Sequence, residues 1–306
     1  MKKKILISTS AFGQGDDGAL KKLVAYGYEP VLNPYKRKLT KPETILLLAD
    51  MEGLIAGLEV LDEDVMRATS LKVISRVGAG ISNVDLEAAA RHDIKVFSTP
   101  DAPTSAVAEL TIGMMICLLR KTSLMNQLMH EGCWEKMIGG QLEGKTVVVI
   151  GYGRIGRRVS GLLEAFRANV VCVDPLVKPD TLSGVKCLPL TEALSVADIV
   201  TVHVSGESEV IGLRELALMP KGVLLLNASR GGVINEEALI SALDQQHVSG
   251  AWLDTFVEEP YNGRLVKFKQ VLLTPHAGSL TFECRRNMEM AAVNNLLSGL
   301  GHAQAE

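Results

Sequence analysis

Aromatic residues make up only 4% of this 306-residue chain, which argues against a ring-lined pocket for a bulky ligand. No block of basic residues occurs. Met1-Lys2-Lys3-Lys4 gives way at once to Ile5-Leu6-Ile7, and the formal net charge is −3, so nucleic acid is not an expected partner. No run of about 18 apolar residues is present, so no membrane span is expected. The first apolar run also lacks the length and small-residue cleavage site of a secretion signal. The five cysteines stand at 117, 133, 172, 187 and 284. None pairs as C-x-x-C or lies at ligand spacing from a histidine, so neither a metal site nor a disulfide is expected. Cys117 and Cys172 sit in apolar runs and read as small core residues, in keeping with a reducing, cytoplasmic compartment. Solenoid-length repeats and low-complexity tracts are absent too.

What is present is an ordinary globular composition, 47% hydrophobic and 22% charged, at a length that accommodates two domains. Short apolar runs alternate with helical patterns. Strands are expected at Ile5–Ser8, Glu29–Leu32, Gly53–Ala56, Leu71–Ser75 and Lys95–Phe97. Helices are expected at Ala19–Tyr26, after the capping signal Thr40-Lys41-Pro42-Glu43, at Asp62–Ala68 and at Asp85–Arg91. A long apolar helix, Thr104–Leu119, follows, and then Met125–Leu142, which reads as a connecting arm. A second series places strands at Thr146–Ile150, Asn169–Val173, Ile199–His203, Val223–Asn227, Val248–Leu253 and Val271–Leu273. Its helices are Arg154–Ala165, Glu192–Val196 and Glu236–Leu243, the last capped by Asn235, before a final helix from about Thr281 to Leu297. Such alternation implies an α/β fold of two mainly parallel sheets, each covered on both faces.

The strand Thr146–Ile150 runs directly into Gly151-Tyr152-Gly153-Arg154-Ile155-Gly156 and then into a helix. In that setting Gly151 permits a tight turn, Gly153 lets the backbone approach a pyrophosphate, and Gly156 allows close helix–strand packing. The helix N-terminus offers free N–H groups and partial positive charge to the phosphates. Asp174 ends the next strand at roughly the 20-residue spacing where an acid binds the ribose hydroxyls. A carboxylate there repels a 2′-phosphate, so NAD is the expected cofactor. His203 and Ala228, at the ends of two later strands, complete the expected cofactor contacts.

Three further segments place polar residues just beyond a strand: Asn227-Ala-Ser-Arg230-Gly-Gly, Asp254-Thr-Phe-Val-Glu-Glu259-Pro260 and Thr274-Pro-His276-Ala-Gly. Interconverting a 2-hydroxy and a 2-oxo acid needs a cation for the carboxylate, a proton carrier and a group that orients it. Arginine, histidine and carboxylate supply these. At these residues, and at Val77-Gly-Ala-Gly80-Ile-Ser-Asn-Val-Asp85, Ser98-Thr-Pro100 and Ala106-Val-Ala-Glu109, the chain resembles the D-isomer-specific 2-hydroxyacid dehydrogenases. The resemblance implies Arg230 as substrate binder, His276 as acid/base and Glu259 as its partner. It further implies that the amides of Ala79, Gly80 and Ile81 hold the substrate carboxylate, and that Asp254 lies near the nicotinamide carboxamide. A cofactor domain at 100–279, Rossmann-like, would be inserted in a flavodoxin-like substrate domain made of 1–99 and 280–306. A homodimer through the cofactor domains is implied as well, with the Met125–Leu142 arm suited to that contact.

Within that family the phosphoglycerate dehydrogenases are the most similar branch, through Arg76-Val-Gly-Ala-Gly80, Asp85-Leu-Glu-Ala-Ala and Gly132-Cys-Trp134-Glu-Lys136. Arg76 and Lys136 align with residues that those enzymes aim at the substrate phosphate. A further arginine of theirs is Gly57 here, and the run after His203 reads Val204-Ser-Gly-Glu-Ser-Glu209 instead of a Pro-Leu-Thr-like sequence. No regulatory domain follows Glu306, so serine feedback through one is not expected. The resemblance leaves open 3-phosphoglycerate, hydroxypyruvate or glyoxylate, and D-lactate as substrates. Formate is disfavoured because formate enzymes carry Gln where Glu259 stands. A different class, an NAD-sensing co-repressor, shares the fold.

Overall fold

In the computed structural model, residues 3–177 and 185–303 are described; the Met1-Lys2 start and the last three residues of the polar tail lie outside them. Residues up to Pro103, together with those from Leu280 onward, form one compact unit, and Thr104–Ser279 form another.

The first unit holds a five-stranded sheet: β1 (Lys3–Ile7), β2 (Tyr28–Leu32), β3 (Met51–Ala56), β4 (Val73–Arg76) and β5 (Lys95–Ser98). The order is β2-β1-β3-β4-β5, and every pairing is parallel. Ile5, Leu6, Ile7, Leu54, Ile55, Val73 and Ile74 are wholly buried, as a parallel sheet covered on both faces demands. The connecting helices are α1 (Gly18–Ala25), α2 (Lys41–Leu48), α3 (Glu63–Arg67) and α4 (Leu86–Arg91). Their starts follow local chemistry. Thr40 N–H donates to the Glu43 carboxylate at 2.9 Å, the expected box; Asp62 accepts from Val65 N–H and Asp85 from Ala88 N–H.

The second unit opens with α5 (Thr104–Arg120) and α6 (Thr122–His130). A seven-stranded sheet follows: β6 (Thr146–Ile150), β7 (Asn169–Val173), β8 (Lys186–Cys187), β9 (Ile199–Val202), β10 (Val223–Asn227), β11 (Val248–Leu253) and β12 (Val271–Leu273). The order is β12-β11-β10-β9-β6-β7-β8, so the winding reverses between β6 and β9. Between strands lie α7 (Arg154–Ala165), α8 (Leu190–Ser195), α9 (Leu213–Leu218) and α10 (Glu236–Asp244), the last capped as expected, with Asn235 accepting from Ala238 N–H at 3.0 Å. The apolar face of α5 packs on α7, β10 and β11. The closing helix α11 (Phe282–Gly299) returns to the first unit, burying Met288, Ala292, Val293 and Leu296 against the β3–β5 side of its sheet.

Three features depart from the sequence expectations. First, the arm after α5 is helical over Thr122–His130. Lys121 at φ +52° ends α5 and restarts the chain; no residue of α6 is buried, although Leu124, Met125, Leu128 and Met129 recur at helical spacing. Second, α9 and the two-residue β8 had no signal of sufficient length. Third, Cys172 and Cys187 form a disulfide. They are register partners on the parallel neighbours β7 and β8, with Cα atoms 4.7 Å apart, which brings the two thiols together in a way their spacing along the chain does not disclose. Thiol usage therefore does not argue for a reducing compartment. Among the described residues, no helix is long and apolar enough to cross a membrane, and no cluster of three or more metal-ligating side chains occurs.

Candidate active site

Strand register sets the site. Val173, Ile150, Val202, Asn227, Leu253 and Leu273 are successive partners across β7-β6-β9-β10-β11-β12. They mark one carboxyl edge of the second sheet. Asp174, Gly151, His203, Arg230, Asp254 and His276 all follow within a few residues of that row. The ligand side of an open α/β sheet is this edge, at the reversal of winding.

The glycine turn occupies that reversal. Gly151 has φ +89°, and a Cβ on it would come within 2.6 Å of the His203 carbonyl oxygen. A Cβ on Gly156 would lie 2.0 Å from the Gly151 carbonyl oxygen. Gly153, the N-cap of α7, is exposed, and no atom lies within 4 Å of where its Cβ would be. That open face at a helix N-terminus fits a diphosphate. Asp174 accepts from Tyr152 N–H and Leu176 N–H, both at 2.8 Å, which fixes its carboxylate at the strand end with further lone pairs available. Arg154 is exposed at the head of α7, whereas Ile155 packs inward and the Tyr152 ring is buried in the core, so only the Tyr152 backbone faces the turn. The His203 ring sits 2.9 Å from Thr201 Oγ1; burial pushes its pKa down to about 4, so it is neutral near pH 7. Part of the residue reaches the surface, but Nδ1 is enclosed with no partner among the described residues. Ala228 packs against the core cluster beneath β10.

Arg230 is held by its own turn. Asn227 Oδ1 accepts from the backbone and hydroxyl of Ser229 at 2.9 and 2.7 Å, and Asn227 Nδ2 donates to Arg230 O at 2.8 Å. The half-buried guanidinium donates one bond to Ser229 O and keeps other donors available. Gly231 then passes the chain against the next loop. A Cβ there would be 2.0 Å from the Phe256 carbonyl carbon and 2.3 Å from Val257 N. The Arg230 turn is thereby packed directly on the segment that carries Glu259.

His276 Nδ1 lies 3.0 Å from Glu259 Oε2, and Glu259 Oε1 accepts from Phe256 N–H at 3.1 Å. The carboxylate thus fixes the ring with Nδ1 toward it and leaves Nε2 facing away from it. The side chains are 40% and 33% exposed, so the pair adds little stability. His276 adopts φ +52°, held by its N–H donating to Asp254 O and Thr274 O, both at 2.9 Å. Beneath it, buried Asp254 accepts from Thr274 Oγ1 at 2.5 Å and from Ala277 and Gly278 N–H at 2.8 Å, while Trp252 Nε1 donates to Thr274. Asp254 is therefore the anchor of the His276 loop.

In the first unit, the loop after β4 carries Ala79–Ile81. Among the described residues no acceptor takes their three amide N–H groups, and all three residues reach the surface. The Arg76 guanidinium folds over Gly78, where a Cβ would lie 1.6 Å from its Nη1, and donates to Val77 O. Lys136 is exposed on the segment after α6 in the second unit.

Residues 112–278 match the family model described as D-isomer specific 2-hydroxyacid dehydrogenase, NAD binding domain. The chain belongs to this family. Curated relatives include the D-3-phosphoglycerate dehydrogenases of Rattus norvegicus, 37% identical over 99% of this chain, and of Methanocaldococcus jannaschii, 36% identical over 81% of it. The chain spans 59% and 49% of their lengths. Among solved structures, the TT0316 protein from Thermus thermophilus is 32% identical with a TM-score of 0.89, covering 97% of this chain and 96% of that one. A glyoxylate reductase from Paecilomyes thermophila is 26% identical with a TM-score of 0.86, covering 98% and 96%.

The loops of Arg230 and His276 are held by further residues. Asn227, Gly231, Trp252 and Thr274 were not singled out from sequence. The Asn-x-Ser run of an Asx turn was a usable signal for the first; nothing local marks Trp252 or Thr274.

Proposed function

We propose that this chain is an NAD-dependent oxidoreductase acting on a small D-2-hydroxy/2-oxo acid, with residues 104–279 holding the cofactor and the remaining unit the substrate. The observation that carries the reading is the exposed His276–Glu259 pair at 3.0 Å, on the same sheet edge as Arg230 and the Gly151–Gly156 turn. When bound, the nicotinamide supplies or accepts the hydride. Arg230 binds the substrate carboxylate and polarises its carbonyl oxygen. The Ala79–Ile81 amides are further donors suited to a carboxylate. His276 Nε2 gives a proton to the carbonyl oxygen in reduction and takes it back in oxidation, while Glu259 holds the ring in place. Asp174 takes the ribose hydroxyls. Hydroxypyruvate or glyoxylate and the 3-phosphoglycerate pair are the leading substrates, the first supported by the glyoxylate reductase likeness and the second by the curated relatives.

Titration with NADH, followed by turnover over a panel of 2-oxo acids, tests the reading. Binding without turnover of any member favours an NAD-sensing protein of the same fold. Replacement of Asp174 by alanine is expected to narrow the preference for NADH over NADPH by about tenfold or more, as loss of a charged hydrogen bond and of repulsion toward a 2′-phosphate implies. Equal Kd ratios in variant and wild type would contradict the ribose role.

The reading includes a homodimer through the Met125–Leu142 arm, where Met129, Trp134 and Ile138 are 52%, 78% and 93% exposed, an apolar display expected of a covered surface. Glutamate at both Trp134 and Ile138 should convert the dimer to monomer in sedimentation experiments; an unchanged species argues for another interface. The cytoplasm is proposed as the site of action because the NAD pool that it draws on is intracellular.

A further inference from the structure

The Cys172–Cys187 bond lies outside the chemistry proposed above, yet it borders the cofactor edge. Cys172 is the next-to-last residue of β7, so Asp174 follows it by two positions. Asp174 opens a turn in which Val177 N–H donates to Asp174 O at 3.3 Å and Leu176 N–H donates to the Asp174 carboxylate at 2.8 Å. That turn is where the chain leaves β7 on its way to β8. On the return, Leu188 N–H donates to Cys172 O at 3.1 Å. The disulfide, which joins positions 15 apart, therefore closes the base of the loop whose first residue is the ribose acid.

The noncovalent hold on that base is slight. β8 is two residues long, stands at the edge of the sheet and pairs with β7 at Val171–Lys186 and Cys172–Cys187. A short edge with so few ladder bonds opens at low cost, and a covalent tie across it removes those openings. The tie is also open to external thiols from one side. Cys172 is wholly buried and packs in the cluster that holds Val149 and Leu163, whereas Cys187 is half-buried beside exposed Lys186. In the compartment proposed above, thiol pools keep most cysteines reduced, and a disulfide there is generally transient and redox-sensing.

We propose that Cys172 and Cys187 form a thiol–disulfide switch that sets the affinity for the dinucleotide. The bonded form holds Asp174 in place for the ribose; the dithiol form lets the loop base open and binds NADH more weakly. Reduction consumes two external thiols such as glutathione. One thiolate attacks the Cys187 sulfur, the bond to Cys172 breaks, and Cys172 leaves as a thiolate that takes up a proton. A second external thiolate attacks the outer sulfur of the mixed disulfide and frees Cys187. Two electrons have then passed to the protein, and the external thiols have become a disulfide. Oxidation by an external disulfide reverses these steps. The proposal rests on the reading of Asp174 as the ribose acid and adds its regulation.

The test measures the Kd for NADH in the full chain, poised with reduced or with oxidised glutathione. Alkylation followed by mass spectrometry of the peptides reports the state of each cysteine. Cys172 and Cys187 should become protected together under oxidised glutathione. Reduction should raise the Kd about fivefold and reversibly, as expected when the competent loop falls to about a fifth of the population. Cys187→Ser should show the reduced value under both conditions. A switch that acts through the ribose acid should also vanish in Asp174→Ala, which a general loosening of the unit would not require. Alkylation of both cysteines at every poise, equal Kd values in the two wild-type forms, or a response that persists in Cys187→Ser or Asp174→Ala overturns the switch while the cofactor reading stands. The wild type alone decides the first two outcomes, whatever the folding of the variants. Absence of NADH binding in both wild-type forms overturns the cofactor reading as well.

Discussion

Replacing His276 with alanine is expected to lower kcat by about 10³-fold while leaving the Kd for NADH at its wild-type value. On the proposed reading the His276 imidazole carries the proton: Glu259 occupies Nδ1 at 3.0 Å, which leaves Nε2 for a substrate. The φ of +52° at this position complicates alanine, which tolerates the left-handed region poorly. His276→Asn separates the two effects, because asparagine accepts that conformation at little cost. Both variants should lose turnover alike, and asparagine should retain the wild-type melting temperature. Pre-steady-state NADH oxidation with a saturating 2-oxo acid measures the loss directly. A rate within a few fold of wild type in either variant would remove His276 from the reaction.

Gly231→Ala is expected to lower kcat/KM by about 10²-fold without touching a group that meets substrate. The added methyl would sit 2.0 Å from the Phe256 carbonyl carbon and 2.2 Å from its oxygen. These are backbone atoms with no rotamer to yield, so one of the two loops must move. Whichever moves, Arg230 on one side or Glu259 on the other leaves its present place, and a displacement of about 1 Å suffices for that loss. Gly153→Ala is the informative contrast, since nothing stands within 4 Å of its Cβ. That variant should fold normally and lose NADH affinity instead. Wild-type kcat/KM in Gly231→Ala would show that contact between these loops does not set the site.

The two sheets were legible in the sequence because their strands are continuous apolar runs punctuated by capping residues and glycines, as at Thr146–Ile150 before Gly151. The strand ends that carry Arg230, Asp254 and His276 were legible for the same reason, since polar residues directly after a buried run mark a carboxyl edge. What stayed hidden depends on pairing between distant residues. The Cys172–Cys187 bond follows from the register of β7 and β8. The anchoring of Asp254 by Thr274, Ala277 and Gly278 joins two segments through contacts that neither foretells. Likewise the Glu59 carboxyl meets Ser8 only because β1 and β3 are neighbours, and an isolated Gly-Leu-Glu reads as an exposed turn. Helix α6 escaped for a different reason: Leu124, Met125, Leu128 and Met129 recur at helical spacing, but the glycine, tryptophan and charges that follow made the whole stretch look like an arm.

The most direct test of the account follows the hydride itself. Wild-type protein is incubated with NADH carrying deuterium at both C4 positions and with hydroxypyruvate, and the product is analysed by mass spectrometry and chiral separation. Deuterium at C2 of a D-2-hydroxy acid is the predicted result. An unlabelled C2, or an L-isomer, would contradict it.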